Sequence, residues 1–244
     1  MINGARTLRD RLYASYVTTH GARKDPQNES RLFKRDILPH LPSPLLFESA
    51  ILDIGCGQGY LVQQLIAHGY HNSLGIDVSQ EQVDLAHGAG ISNVIYGDYR
   101  DVLVHSGTRF DAVIATDVIE HFTKHEVLET FGLVFDALAE SGVFIVRCPN
   151  GVSPFVGNYQ YGDMTHETLF TPRSFRQVAA EAGFTGISVH SCNPIVHGAS
   201  SAGRAIIWRG AASLLKLVLV AETGEIQHIV TQNFVGVARR RPCT

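Results

Sequence analysis

Ile51-Leu52-Asp53-Ile54-Gly55-Cys56-Gly57-Gln58-Gly59-Tyr60 is a short apolar run that ends in an acid and then alternates three glycines with other residues. The run reads as a buried strand delivering the backbone into a tight turn where side chains would obstruct. Helix-forming residues follow, so the unpaired N–H groups and positive dipole end of a helix face whatever the turn holds. This is the pattern of a nucleotide-binding turn. The order Gly55-x-Gly57-x-Gly59 departs from the G-x-G-x-x-G of dinucleotide sites, and no G-x-x-x-x-G-K-[ST] occurs, which excludes a P-loop.

Further strands follow at regular intervals, each ending near an acid. Ser73-Leu74-Gly75-Ile76-Asp77 precedes Val78, and Asn93–Tyr96 runs into Gly97-Asp98-Tyr99. Phe110–Ala115 runs into Thr116-Asp117-Val118-Ile119-Glu120-His121-Phe122. Acids just past successive parallel strands fall along one edge of a sheet, where open α/β folds bind ligands. An acid on the second strand tip is placed to accept ribose hydroxyls; the competing role for Asp77 and Asp98 is to cap the next helix. A fifth strand, Gly142–Val146, leads to Arg147-Cys148-Pro149-Asn150, and Phe184–Ser191 and Ile226–Ala238 read as the last two.

Taken together, these residues resemble the class I S-adenosylmethionine-dependent methyltransferases over roughly residues 50 to 150. The resemblance implies a doubly wound, Rossmann-like α/β fold. Its sheet is seven-stranded and mostly parallel, with helices on both faces and an antiparallel last strand inserted beside the fifth. It implies S-adenosylmethionine as cofactor and S-adenosylhomocysteine as product. Asp53, Gly55, Cys56, Gly57 and Gly59 match the first motif, around the methionine part. Asp77, with Val78, matches the ribose position, Asp98-Tyr99 the adenine pair, and Thr116-Asp117 the methionine end. A DNA-base enzyme of this kind would carry Pro-Pro-Tyr where this chain has Asp117-Val118-Ile119.

The 244 residues suit one α/β domain. We divide it into an N-terminal helical lid (1–48), a cofactor-binding core (49–149) and a region of substrate loop, helices and final strands (150–244). The net charge of −3, with no dense basic block before Arg239-Arg240-Arg241, lacks the electrostatic footprint of a nucleic-acid partner. Four cysteines without a CxxC read as reduced thiols, and with no signal peptide the expected location is the cytoplasm. The lid is read as two helical pieces over 7–38 followed by a proline-stiffened connector. Arg31 on its second helix is expected to reach the cofactor carboxylate, with Tyr16 assisting.

Between Asn150 and Thr171 no helical or strand period is present, and a loop this long is usually functional. It leaves the carboxyl end of strand five, so it is expected to arch over the crevice. Aromatic faces mixed with polar groups, Tyr159, Tyr161 and Asp163 among them, suit a flat polar ligand such as a sugar ring. Tyr161–Glu167, Phe170–Ser174, Asn150-Gly151 and Ala221–Gly224 are similar to a branch of the family found in bacterial surface-polysaccharide biosynthesis. That likeness implies O-methylation of a sugar or sugar-phosphate. Methylation of a phenol or amine, or binding of the cofactor without catalysis, are the alternatives. A hydroxyl acceptor calls for a general base, and His166 is preferred over His121. His121 and His125, four residues apart, are the only spacing that suggests a metal grip, and no metal is expected. Ala205–Ala221 is a strongly apolar helix that falls short of the ~20 residues of a membrane span. It is read as a core or dimer face, or as an interfacial helix near a lipid-linked glycan.

Overall fold

The computed structural model describes residues 12, 13, 17, 25–42 and 48–240. Its centre is one seven-stranded sheet: β1 (Ile51–Ile54), β2 (Ser73–Asp77), β3 (Val94–Tyr96), β4 (Phe110–Thr116), β5 (Leu138–Pro149), β6 (Gly186–Ser191) and β7 (Asn233–Arg239). The spatial order is β3-β2-β1-β4-β5-β7-β6. The first five strands run parallel, and β7 is antiparallel to both β5 and β6, as the resemblance implied.

Alternation along β4 and β5 sets the two layers. Val113, Ala115, Phe144, Val146 and Cys148 point to one side, where Phe131, Val134, Phe175 and Phe234 join them. Ala112, Ile114, Val143 and Ile145 point to the other, meeting Phe33, Ile37, Leu65, Val235 and Val237. Such strands, buried on both faces, are the reason β4 and β5 read as continuous apolar runs.

The helices are α1 (Pro26–Leu32), α2 (Tyr60–Ala67), α3 (Gln80–Gly88), α4 (Tyr99–His105), α5 (Lys124–Ala137), α6 (Gly157–Gln160), α7 (Pro172–Glu181) and α8 (Ala199–Thr223). Local signals start them. Asp25 caps α1, Thr123 and Glu126 form a capping box on α5, and Thr171 caps α7 ahead of Pro172. Helix α1 passes through a π turn at Phe33–Ile37, which buries Asp36.

Four boundaries differ from the sequence reading. Helix α4 was not expected, because Tyr99–His105 is short and shows little period. Strand β5 begins at Leu138, which pairs with Phe110 across an irregularity that precedes the main register. Helix α8 outruns Ala205–Ala221 in both directions, from Gly198 to the left-handed Gly224. Strand β7 starts at Asn233 rather than Ile226. The carbonyls of Ile229 and Thr231 are taken instead by the buried Asn150 side chain, whose Oδ1 accepts from Val152 N–H. Helical structure upstream of residue 25 and the connector at 43–47 lie largely outside the described residues, as does Tyr16.

Asn150 thus ties the exit of β5 to the approach of β7. Asn150→Ala should lower unfolding free energy by about 2–4 kcal/mol, because it strands buried backbone groups. A denaturant titration showing a loss under about 1 kcal/mol would contradict this.

Candidate functional site

The order of strands reverses between β1 and β4, and a cavity of about 390 Å³ opens at their carboxyl ends. This is the ligand crevice of an open α/β sheet, and its size is that of a small-molecule site. Gly55 and Gly57, at φ 67° and 53°, form its floor. A Cβ on Gly55 would lie 2.5 Å from Val118 Cγ2. The turn therefore requires glycine both for its left-handed backbone and for space.

Asp77, at the tip of β2, lies at the cavity edge. Its Oδ2 accepts from Gly57 N–H at 2.8 Å and its Oδ1 from Ser79 N–H at 2.8 Å. The carboxylate locks the glycine turn to the start of α3 while it lines the cavity. On the next wall, Tyr99 stacks on Phe122 and lies under the Arg100 guanidinium. Burial pushes the Tyr99 phenol up to about 12, and its hydroxyl bonds Thr130 Oγ1 at 2.6 Å.

Of the expected cofactor residues, Gly55, Gly57, Asp77, Val78, Tyr99, Thr116 and Asp117 line this cavity. Asp53, Cys56 and Gly59 shape the turn from behind it: Asp53 is buried in β1, and Gly59 begins α2 at φ 73°. Two expectations are corrected. Asp98 caps α4 through Arg100 N–H and pairs with the Arg100 side chain, so the capping role prevails. Arg31 bonds Gln27 along α1 and does not line the cavity. Among the described N-terminal residues Tyr13 lines it, while Val17 N–H is held by Glu81 on α3. The sequence reading also missed Gln58, Ser79, Gln82 and Arg100, whose polar character carried no positional signal.

The methionine end is more heavily charged. Asp117 adopts a left-handed backbone, φ 56°, the only such non-glycine among the described residues. Strain of this kind persists where surrounding structure over-determines it. Here its N–H bonds the Arg147 carbonyl and its carboxylate pairs with the Arg147 side chain. Arg147 also meets Asp36 at 3.3 Å, and Arg35 grips the same Asp36 at 2.5 Å. Burial works against the Arg147 charge, but Asp117 and the other nearby acids outweigh it and raise its pKa. Glu120 is fully enclosed. Burial first, and the Asp117 carboxylate second, raise its carboxyl well above the ordinary range.

His121 lines both the first cavity and an adjoining pocket shared with Asp117, Glu120, Arg147, Asn158, Tyr159, Asp163, His166 and Asn233. The loop after β5 therefore does reach the crevice. It is pinned there by Glu167 and Thr168 N–H groups on the Glu120 carbonyl. Thr165 Oγ1 donates to Asp163 Oδ1 at 2.6 Å, and His121 Nδ1 lies 2.8 Å from that same hydroxyl oxygen. Its one proton already given to Asp163, the hydroxyl accepts Nδ1–H from His121. The ring's lone pair is thereby assigned to Nε2. Burial, and then the edge-on His166 ring at 4.7 Å, lower His121 to about 4.

Other expected residues fall differently. Tyr159 lines the pocket, Asp163 serves His121 through Thr165, and Tyr161 projects outward, 84% exposed. His166 lines only the second pocket, whereas His121 lines both. His125, whose spacing from His121 was noted without a metal being expected, lies exposed at the start of α5. Glu120, His121 and His166 bring one ligand atom each within 4.8 Å of one another, a set that could hold a divalent cation. Their sequence separation hid it.

Residues 10–189 match the family model described as "Methyltransferase domain". Over 172 residues the chain is 36% identical to a ubiquinone biosynthesis O-methyltransferase of Methylobacterium nodulans, covering 64% of this chain and 67% of that one. A second such protein, from Bartonella tribocorum, is 33% identical over 93 residues, so there the match spans only 36% of either chain. The fold is similar to that of a crystallised SAM-dependent methyltransferase from Archaeoglobus fulgidus, with a TM-score of 0.66 at 18% identity, over 92% of this chain and 98% of that one.

A depressed imidazole pKa carries a stability signature. The folded state disfavours the protonated ring, so stability is full above the unfolded value of 6.5 and is lost as pH falls toward about 4. Between pH 7.5 and 4.5 this amounts to about 2–3 kcal/mol. His121→Gln should remove that increment, read as the difference in chemical-denaturation midpoints at the two pH values. An unchanged difference would refute the burial effect.

Proposed function

The chain belongs to the methyltransferase-domain family, and we propose that it methylates a hydroxyl oxygen on a small ring acceptor, using S-adenosylmethionine. The residues fit that cofactor. The glycine turn leaves a space its own side chains would have filled, Asp77 presents a carboxylate beside it, and Tyr99 and Phe122 provide an aromatic wall. When bound, the cofactor supplies an electrophilic methyl group on a sulfonium. What remains for the protein is to align the acceptor and remove its proton.

The observation that carries this reading is the Asp163–Thr165–His121 chain, ending at a residue common to the cofactor cavity and the adjoining pocket. His121 Nε2 would take the O–H proton of an acceptor hydroxyl, while the Nδ1–H bond to Thr165 holds the ring in place. Burial and the Asp117 carboxylate raise the Glu120 carboxyl pKa, which disfavours a second negative charge beside Asp117.

The strength of this base bears on the acceptor. An imidazole lowered to about 4 is a weak partner for an aliphatic alcohol. A phenol, ionising near 10, is within easier reach than a sugar hydroxyl, which is a weaker acid. The relatives from Bartonella tribocorum and Methylobacterium nodulans are O-methyltransferases of ubiquinone biosynthesis, which supports an oxygen acceptor. The sugar reading keeps one supporting feature, a pocket lined almost wholly by polar side chains. A phenolic acceptor is therefore our first choice, ahead of the glycan suggested by the loop sequence.

Two measurements test this. His121→Gln should cut methyl transfer by about 10²–10⁴-fold and leave S-adenosylhomocysteine binding intact, whereas Asp77→Ala should weaken that binding. Labelled cofactor offered with catechol-type phenols and with nucleotide sugars should mark the phenols. Full turnover by the His121 variant would overturn the assignment of the base, and labelling of the sugars alone would restore the glycan.

A further inference from the structure

Helix α8 lies between β6 and β7 and touches the rest of the described fold along one face only. Ser201 and Ala205 are buried on that face, and Trp208 is half-buried. The opposite side is apolar and bare: Ile206, Ile207, Leu214, Leu217 and Val218 are each between 57% and 73% exposed. Projected at 3.6 residues per turn, these five fall within an arc of about 120°. Arg204 borders the arc on one side, and Arg209 and Lys216 border it on the other. No acid occurs in the helix before Glu222. In a chain whose net charge is −3, this element carries three cations against one acid.

We propose that α8 is a docking surface for an anionic lipid bilayer, lying in the plane of the interface. An apolar stripe with cations along both borders is the pattern of such helices. The stripe enters the acyl boundary, while long basic side chains reach back to the headgroups. No described helix is long and apolar enough to cross a membrane, which leaves in-plane attachment as the mode. A second copy of this chain is the poorer occupant. Paired α8 stripes would bring Arg204, Arg209 and Lys216 of both copies together, with only Glu222 from each to offset them.

The opposite side of the helix adds a consequence. Trp208 lines a chamber of about 350 Å³ with Phe155, Ser153 and Arg35, and this chamber shares Arg147, Tyr159 and Asn233 with the pocket at His121. Docking would place that chamber beneath the bilayer surface, where an acceptor with an apolar tail resides. The docking itself does not depend on which hydroxyl is methylated.

The test is cosedimentation of the full chain with vesicles of phosphatidylcholine, with and without phosphatidylglycerol. Binding to the anionic vesicles should exceed binding to neutral ones by about ten- to a hundredfold and should fall with added salt. Leu214→Glu with Leu217→Glu should abolish it, and Arg209→Glu with Lys216→Glu should erase the preference for anionic lipid. S-adenosylhomocysteine titration of the same variants should be unchanged, which separates a docking failure from loss of the fold or of the cofactor site. Absence of vesicle binding by the unaltered chain would overturn the proposal. So would a dimer in light scattering that the leucine variant converts to monomer.

Discussion

A partly buried guanidinium organises the reacting end of this protein. Arg147 leaves the sheet near the end of β5 and is held between Asp117, just past β4, and Asp36, in the π turn after α1. Asp36 is the buried partner, so its loss would be the more costly of the two. The arrangement fixes three things at once. It holds the N-terminal helix against the sheet, keeps Asp117 in its left-handed conformation, and sets the floor of both pockets beyond the cofactor cavity.

With that floor in place, the loop after β5 can be read as a second, dependent layer. Glu120 and Phe122 offer backbone carbonyls, and Glu167 and Thr168 close on them. The closure carries Asp163 and Thr165 to His121. A histidine in this setting gives up basicity to burial and gains a fixed tautomer in return. The trade suits methyl transfer, where the leaving sulfonium already lowers the barrier and alignment matters more than proton affinity.

The cofactor half was largely legible in the chain because it is built from local features. A strand, a turn of glycines and a tip acid recur along the chain, so spacing put Gly55, Gly57 and Asp77 at the sheet edge, and the family resemblance added Thr116; all four line the cavity. Elsewhere the contacts that side chains make, local or distant, were not visible in spacing. Asp98 reads like Asp77, yet Arg100 two residues on captures it. Arg31 has the right chemistry, but α1 directs it along its own surface to Gln27. The ring that meets His121 is His166, brought from a distant loop that spacing along the chain does not connect to it. Asn150 looked like a loop residue and proved to decide where β7 begins.

These two kinds of construction have different consequences for what the protein can accept. The cofactor cavity relies on backbone N–H groups and glycine geometry, which few substitutions can alter without breaking the turn. The pockets beyond it draw on the loop after β5 and on Trp208 of α8, together with Arg147 and Asn233 of the sheet and Leu32 and Arg35 near the N-terminal helix. On the proposed reading, the acceptor is thus met by side chains from several separated stretches, whereas the cofactor is met largely by one contiguous, strongly patterned one. The His121 chain lies where the two meet: its Thr165 and Asp163 come from the loop after β5, but its ring is held just past β4. A change of acceptor that kept this contact would keep the base, and one that displaced Thr165 would lose the tautomer along with the old substrate.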